Sequence, residues 1–199
     1  MDLADKSALR VYFKNIRGKM THAEKNSKDS RIFSKLVGIP EFASAGDILT
    51  YVSSDIEVDT EKIISYSFDQ GKSVYAPRCV RNTNIMRFYR ITGFDDLEAG
   101  YFGIREPKKH CEELKESQSQ ICLVPALSYD AKGYRLGFGK GFYDRFLPQF
   151  RGISIGLCYD SCISDQLPGL AHDMPVSILV TETKIIRFSN YERTDKQNG

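Results

Sequence analysis

The sequence predicts an α/β protein built on a mainly parallel sheet. Three observations carry that expectation. Short, mainly apolar runs stand at 48–52, 121–124 and 153–157, as in strands buried on both faces. Segments with helical spacing lie before and between them. The two kinds alternate along the chain, which is the signature of helices packed over a parallel sheet. The 199 residues suffice for one such domain, and no repeat or linker divides them. Residues 1–190 are therefore expected to form one domain and 191–199 a polar, frayed tail.

Each element has its own reason. Leu9, Phe13, Ile16 and Met20 recur at helical spacing among charges and predict a helix over 4–20. Thr21 followed by Glu24 is a capping box that opens a second helix, with Phe33, Leu36 and Val37 on its apolar face and Gly38 and Pro40 as its stop. Residues 48–52 read as a strand, 53–59 as a polar loop, and 60–70 as a helix closed by Gly71. Strands follow at 74–77 and 86–91. Residues 95–120 carry many charges and little periodicity, so they read as a long connection. A strand at 121–124, a helix at 141–147 and strands at 153–157 and 177–181 complete the pattern.

Composition excludes several classes. Lys+Arg number 28 against 26 Asp+Glu, a formal net charge of +2, which argues against a dedicated nucleic-acid binder. No run approaches the roughly 20 apolar residues of a membrane span, and the charged start MDLADKSALR is no signal peptide. Five cysteines without a CxxC pair suit neither a disulfide scaffold nor a zinc ribbon. The expectation is a reduced, cytoplasmic monomer that binds neither nucleic acid nor membrane.

The most informative segment is VPALSYDAKGYRLGFGKGFYDRFL, residues 124–147. Gly137, Gly139 and Gly141 alternate after a strand and before a helix, with Arg135, Lys140 and Arg145 among them. Missing Cβ atoms let backbone N–H groups converge on an anion, and a helix N-terminus and cations add to the attraction. The pattern is neither a Walker A loop nor GxGxxG, because no Ser/Thr follows the lysine and position 142 is Phe. Read as composition alone, the segment is equally a glycine-rich turn with surface cations. Asp144 reads as a Mg²⁺ ligand beside phosphates or as an acid in a helix's first turn. Lys6 and Arg10 share a helix face at i, i+4, which is also what a solvated face shows.

The segment PALSYDAKGYRLGFGKGFYD resembles the signature of the 5-formyltetrahydrofolate cyclo-ligase (5,10-methenyltetrahydrofolate synthetase) family, departing only at Phe142, where the family usually has Tyr. KSALR, YVSSDIEVDT, APR, FGIREP and HDMPVS resemble further family segments in the same order, so the likeness spans about 4–188. It implies a three-layer α/β/α fold like that of ribose-5-phosphate isomerase and CoA-transferase proteins. It implies ATP- and Mg²⁺-dependent ring closure of 5-formyltetrahydrofolate. It further implies catalytic roles for Arg135, Lys140 and Tyr143, and nucleotide contacts from Lys6, Arg10, Arg135, Leu136, Gly137, Phe138, Gly139, Lys140, Gly141, Phe142 and Tyr143. Folate contacts fall on Val52, Glu57, Phe102, Phe138, Gly139, Lys140, Gly141 and Phe142, and metal ligation on Asp144 and Asp173. His172 and the thiols Cys158 and Cys162 are expected to be structural, and Lys108, Lys109 and His110 a solvated loop, with attraction of a folate's polyglutamate tail as the alternative reading.

Overall fold

The computed structural model describes residues 5–100, 103–115, 120–169 and 173–188. The Asp5 carboxylate accepts from the Ser7 N–H at 2.7 Å and opens α1 (Lys6–Gly18). Thr21 and Glu24 form the expected capping box: the Glu24 N–H donates to Thr21 Oγ1 at 3.2 Å, and the Thr21 N–H to the Glu24 carboxylate at 3.0 Å. That pair starts α2 (His22–Val37), which Gly38 ends. Pro40, read from sequence as part of that stop, also opens α3 (Pro40–Ser44), because a proline at the first helical position loses no intrahelical hydrogen bond.

The run at 48–52 is a strand only over β1 (Asp47–Leu49). The Thr50 N–H still donates to Tyr75 O at 2.9 Å. Beyond it the chain leaves the sheet, because Thr60 Oγ1 donates to Tyr51 O at 2.8 Å and accepts from the Ser53 N–H at 3.1 Å. Then come α4 (Glu61–Asp69), β2 (Ser73–Cys79) and β3 (Met86–Ile91). The connection read as aperiodic holds a 3-10 turn (Phe94–Asp96) and a small hairpin of β4 (Leu97–Ala99) and β5 (Arg105–Pro107). The chain continues through β6 (Gln120–Val124), β7 (Ser128–Asp130), β8 (Arg135–Leu136) and α5 (Phe142–Phe146). It closes with β9 (Ile153–Leu157), β10 (Ile163–Ser164), β11 (Ile178–Val180) and β12 (Ile185–Arg187).

Seven strands form the central sheet in the order β12-β11-β9-β6-β1-β2-β3. The inner five are mutually parallel, and β3 and β12 close the two edges antiparallel. Register separates the two faces at the β2–β3 edge. Val74 pairs with Ile91 on one face, while Pro77 pairs with Phe88 and Cys79 with Met86 on the other. Phe88 and Met86 join the main core with Leu9 and Phe13 of α1 and Ile32 and Leu36 of α2. Val74, Ala76 and Ile91 join a second cluster with Ile64 of α4. Helices thus cover both faces, as the fold class requires. Among the described residues no helix is long and apolar enough to cross a membrane.

A second small sheet, β10-β7-β8, carries the glycine loop away from the main one. It is anchored by Tyr129, fully buried, whose hydroxyl donates to Val124 O at 2.8 Å. The ring fills the space above Gly156, where a Cβ would stand 2.5 Å from Tyr129 Cζ. Gly156→Ala is therefore expected to lower the free energy of unfolding by about 1–3 kcal/mol through overpacking, measured by urea denaturation. Gly46→Ala, with no atom within 4 Å of the added carbon, serves as the near-neutral control. Equal stability in both variants would contradict this packing.

Candidate active site

The sheet order reverses next to β1. From β1 the chain moves outward to β2 on one side, and β6 returns to pair with β1 on the other before β9 and β11 follow. Loops leaving the carboxyl ends of β1 and β6 must diverge there, and the crevice between them is where open parallel sheets bind ligands. The loop after β1 carries Val52 and Glu57. The loop after β6 leads through the β7–β8 hairpin to the glycine segment.

The glycine segment has the backbone its sequence implies. Gly139 has φ +100° and Gly141, the residue before α5, φ +71°, a region other residues rarely adopt. A Cβ on Gly139 would come within 3.3 Å of the Arg10 guanidinium, and the Arg10 Nε–H donates to Gly137 O at 3.0 Å. Lys6, one helical turn before Arg10, pairs with Asp173 at 2.9 Å. The shared face of α1 is thus turned toward this site. Arg135 is buried, and its guanidinium donates to Met174 O at 2.9 Å with one arm and pairs with Asp144 with the other. Asp144 and Met174, the residue after Asp173, therefore meet across one guanidinium. Their carboxylates offer oxygen donors only, a set that suits a hard divalent cation such as Mg²⁺. Lys140 is exposed on the loop.

Glu57 is not the exposed loop acid that its polar surroundings suggest: it is only 7% exposed. Its carboxylate accepts from the Ser54 N–H at 2.8 Å and the Ser54 hydroxyl at 2.7 Å. Burial raises its pKa even against those two hydrogen bonds. Tyr143, in the first turn of α5, has a buried hydroxyl with no hydrogen-bond partner among the described residues. Burial holds that phenol well above its ordinary pKa, and the fields of Cys122 and Glu57 add to the effect. Glu57 and Tyr143 lie far apart along the chain, and the structure brings them into one electrostatic neighbourhood.

Of the other expected contacts, Phe138 and Phe142 are half-buried against the main core, and Leu136 belongs to it. Val52 is buried in the second cluster with Ile64 and Val74. Phe102 and His172 lie outside the described residues. Cys158 and Cys162 are free and buried, as expected of structural thiols, and burial raises the Cys158 pKa to about 12. A separate polar cleft of about 470 Å³ lies between α2 and the loop after β1, lined by Lys25, Asp29, Ser54 and Lys62 among others and by no residue of the glycine loop.

Sequence reasoning missed Arg17. It is 3% exposed at the end of α1 and reaches both diverging loops. It donates to Ile56 O at 3.0 Å beside Glu57, and to Ala126 O at 2.7 Å and Leu127 O at 3.2 Å after β6. Its guanidinium also stands over the Tyr159 ring at 5.3 Å, whose hydroxyl donates to Asp29 at 2.8 Å and to Glu57 O at 3.2 Å. The available signal was position: Arg17 follows Phe13 by four residues and so sits on the apolar face of its helix.

Comparison with known proteins gives consistent results. The family model described as 5-formyltetrahydrofolate cyclo-ligase family matches residues 2–182. A Caenorhabditis elegans protein named as a probable 5-formyltetrahydrofolate cyclo-ligase is 29% identical, over 92% of this chain and 95% of its own. The 5-formyltetrahydrofolate cyclo-ligase of Haemophilus influenzae is 29% identical, over 88% of this chain and 97% of its own. The NMR structure of Aquifex aeolicus 5,10-methenyltetrahydrofolate synthetase superposes with a TM-score of 0.82 at 32% identity, covering 92% of this chain and 93% of that one.

The tie made by Arg17 has a measurable consequence. Arg17→Met keeps bulk but leaves buried carbonyls unpaired, and is expected to lower the free energy of unfolding by about 2–4 kcal/mol. Arg17→Lys recovers only part, because an ammonium lacks the planar fork. A loss below about 0.5 kcal/mol for Arg17→Met in chemical denaturation would show that the tie is not structural.

Proposed function

The chain belongs to the 5-formyltetrahydrofolate cyclo-ligase family, and from that premise we propose that it converts 5-formyltetrahydrofolate to 5,10-methenyltetrahydrofolate, consuming ATP with Mg²⁺ and releasing ADP and phosphate. The observation that carries this reading is the family match over residues 2–182.

The chemistry explains the need for a nucleotide. A formyl group on nitrogen is a poor electrophile, because the nitrogen lone pair donates into the carbonyl. Transfer of the γ-phosphoryl group to the formyl oxygen turns that oxygen into a leaving group. The N10 lone pair then forms a bond to the formyl carbon, the carbon–oxygen bond breaks with loss of phosphate, and the N10 proton goes to solvent. Phosphoryl transfer of this kind depends on positioning and charge stabilisation more than on covalent help from the protein.

The residues divide that work. In this reading Arg10, Lys140 and the glycine-loop amides hold the polyphosphate, and Lys6 lies beside it. Arg135 is held by Asp144 and Met174 O, so its charge is fixed in place before a ligand arrives. Asp144 and Asp173 would hold Mg²⁺, which would supply charge neutralisation for phosphoryl transfer. Glu57 accepts from the N–H edge of the pterin, and Phe138 and Phe142 border its flat face. Tyr143 stays protonated and offers its unpaired hydroxyl to the ligand.

The direct test is the absorbance of the methenyl product when 5-formyltetrahydrofolate, ATP and Mg²⁺ are supplied. Lys140→Ala and Asp144→Asn are expected to lower turnover at least about a hundredfold with the fold retained. ATP hydrolysis that ignores the folate, or near-normal rates in both variants, would overturn the assignment. Tyr143→Phe has a different signature. Removing an unpaired buried hydroxyl is expected to leave stability unchanged or raised. It should also lower kcat/KM about tenfold if that hydroxyl meets the ligand. An unchanged kcat/KM would remove Tyr143 from the site.

A further inference from the structure

Away from that crevice, the connection between β3 and β6 gathers three metal-ligating side chains. Asp96 ends the 3-10 turn before β4, and His110 and Cys111 follow β5. Asp96 Oδ1 lies 3.0 Å from His110 Nε2, and the ligand atoms of Asp96, His110 and Cys111 all lie within 4.8 Å of one another. The backbone locks their spacing: the Lys108 N–H donates to Asp96 O at 2.7 Å, and the Cys111 N–H to Lys108 O at 3.0 Å. The Cys111 thiol faces Asp96 O at 3.8 Å.

Two features distinguish this group from a chance surface pair. The far oxygen of Asp96 accepts from the Thr92 N–H at 2.7 Å and the Thr92 hydroxyl at 2.8 Å, so the carboxylate is oriented by a neighbour as metal-binding carboxylates are. Below the loop, Arg78 binds the carbonyls of Pro107 and Lys108, which holds the turn against β2. Cys111 is rooted in the second core cluster, whereas His110 is exposed, so a position toward solvent stays open.

We propose that Asp96, His110 and Cys111 form a binding site for one zinc-class transition-metal ion, separate from the crevice beside β1. Thiolate, imidazole and carboxylate with one water make a tetrahedral set with an open position. Sulfur and nitrogen donors select such an ion over Mg²⁺. Zinc–sulfur and zinc–nitrogen bonds of about 2.3 and 2.0 Å place donors roughly 3.3–3.8 Å apart, within reach of side-chain rotation here. Metal binding displaces the Cys111 thiol proton to solvent. The two anionic ligands balance the ion's charge, and the bound ion clamps the entry of the β4–β5 hairpin to its exit.

Titration of the reduced protein with Co²⁺ in excess Mg²⁺ tests the proposal. The expected result is one equivalent bound with tetrahedral d–d bands and a thiolate-to-cobalt charge-transfer band, bleached by Zn²⁺. Cys111→Ser abolishes the charge-transfer band, and His110→Ala, at an exposed position that leaves the fold intact, weakens binding at least about tenfold. Cys79→Ser retains both bands. Absence of the bands in the wild type, a charge-transfer band that survives Cys111→Ser or vanishes with Cys79→Ser, or binding unchanged in His110→Ala overturns it. Circular dichroism of each variant confirms that it is folded.

Discussion

A single buried cation holds the two halves of the crevice together. Where the sheet order reverses, the loops after β1 and β6 have no strand pairing to keep them in register. Arg17 spans the gap, binding Ile56 O on one side and Ala126 O and Leu127 O on the other. A buried guanidinium is tolerated only when its donors are matched, and here several backbone carbonyls and the Tyr159 ring match them. Those carbonyls would otherwise be stranded in the loops. The charge and the loops thus satisfy one another, and the distance between Glu57 and the glycine-bearing hairpin follows from that arrangement.

The first helix extends the same logic. At about 100° per residue, Lys6, Arg10 and Arg17 fall within about 40° of one another around the α1 axis. Leu9 and Phe13 bury the adjacent stripe in the main core. A helix fixed by its apolar side therefore delivers three cations to one edge of the sheet: one to Asp173, one to the glycine segment and one to the loop junction. Arg135 joins the set from below, pinned between Asp144 and Met174 O. The charges of Arg10, Arg17 and Arg135 are held at this crevice by packing and hydrogen bonds, as fixed electrostatic stabilisation requires.

Long, periodic elements were legible in the sequence. The capping box at Thr21, the strands at 86–91 and 153–157 and the glycine segment all stand where pattern places them, because each is dictated by neighbours within a few residues. The short pieces were not. β7, β8 and β10 are two or three residues long and exist through pairing with one another, so no period announces them. The hairpin within 95–120 escaped for the same reason. Pro40 carried a real signal with two meanings, since a residue that ends one helix also begins another well.

The sequence by itself determined the α/β class, the order of its main elements, and a glycine loop flanked by cations and a carboxylate. These are local properties, set by periodicity, by glycine's freedom at 139 and 141, and by residue type. Only the tertiary structure decided that Glu57 is buried, that its field reaches the Tyr143 hydroxyl, that Arg135 bridges Asp144 to the segment after Asp173, and that Arg17 is a core residue. Burial and electrostatic proximity depend on which strands become neighbours. That choice is made by long-range packing across the whole chain, and no window of sequence contains it.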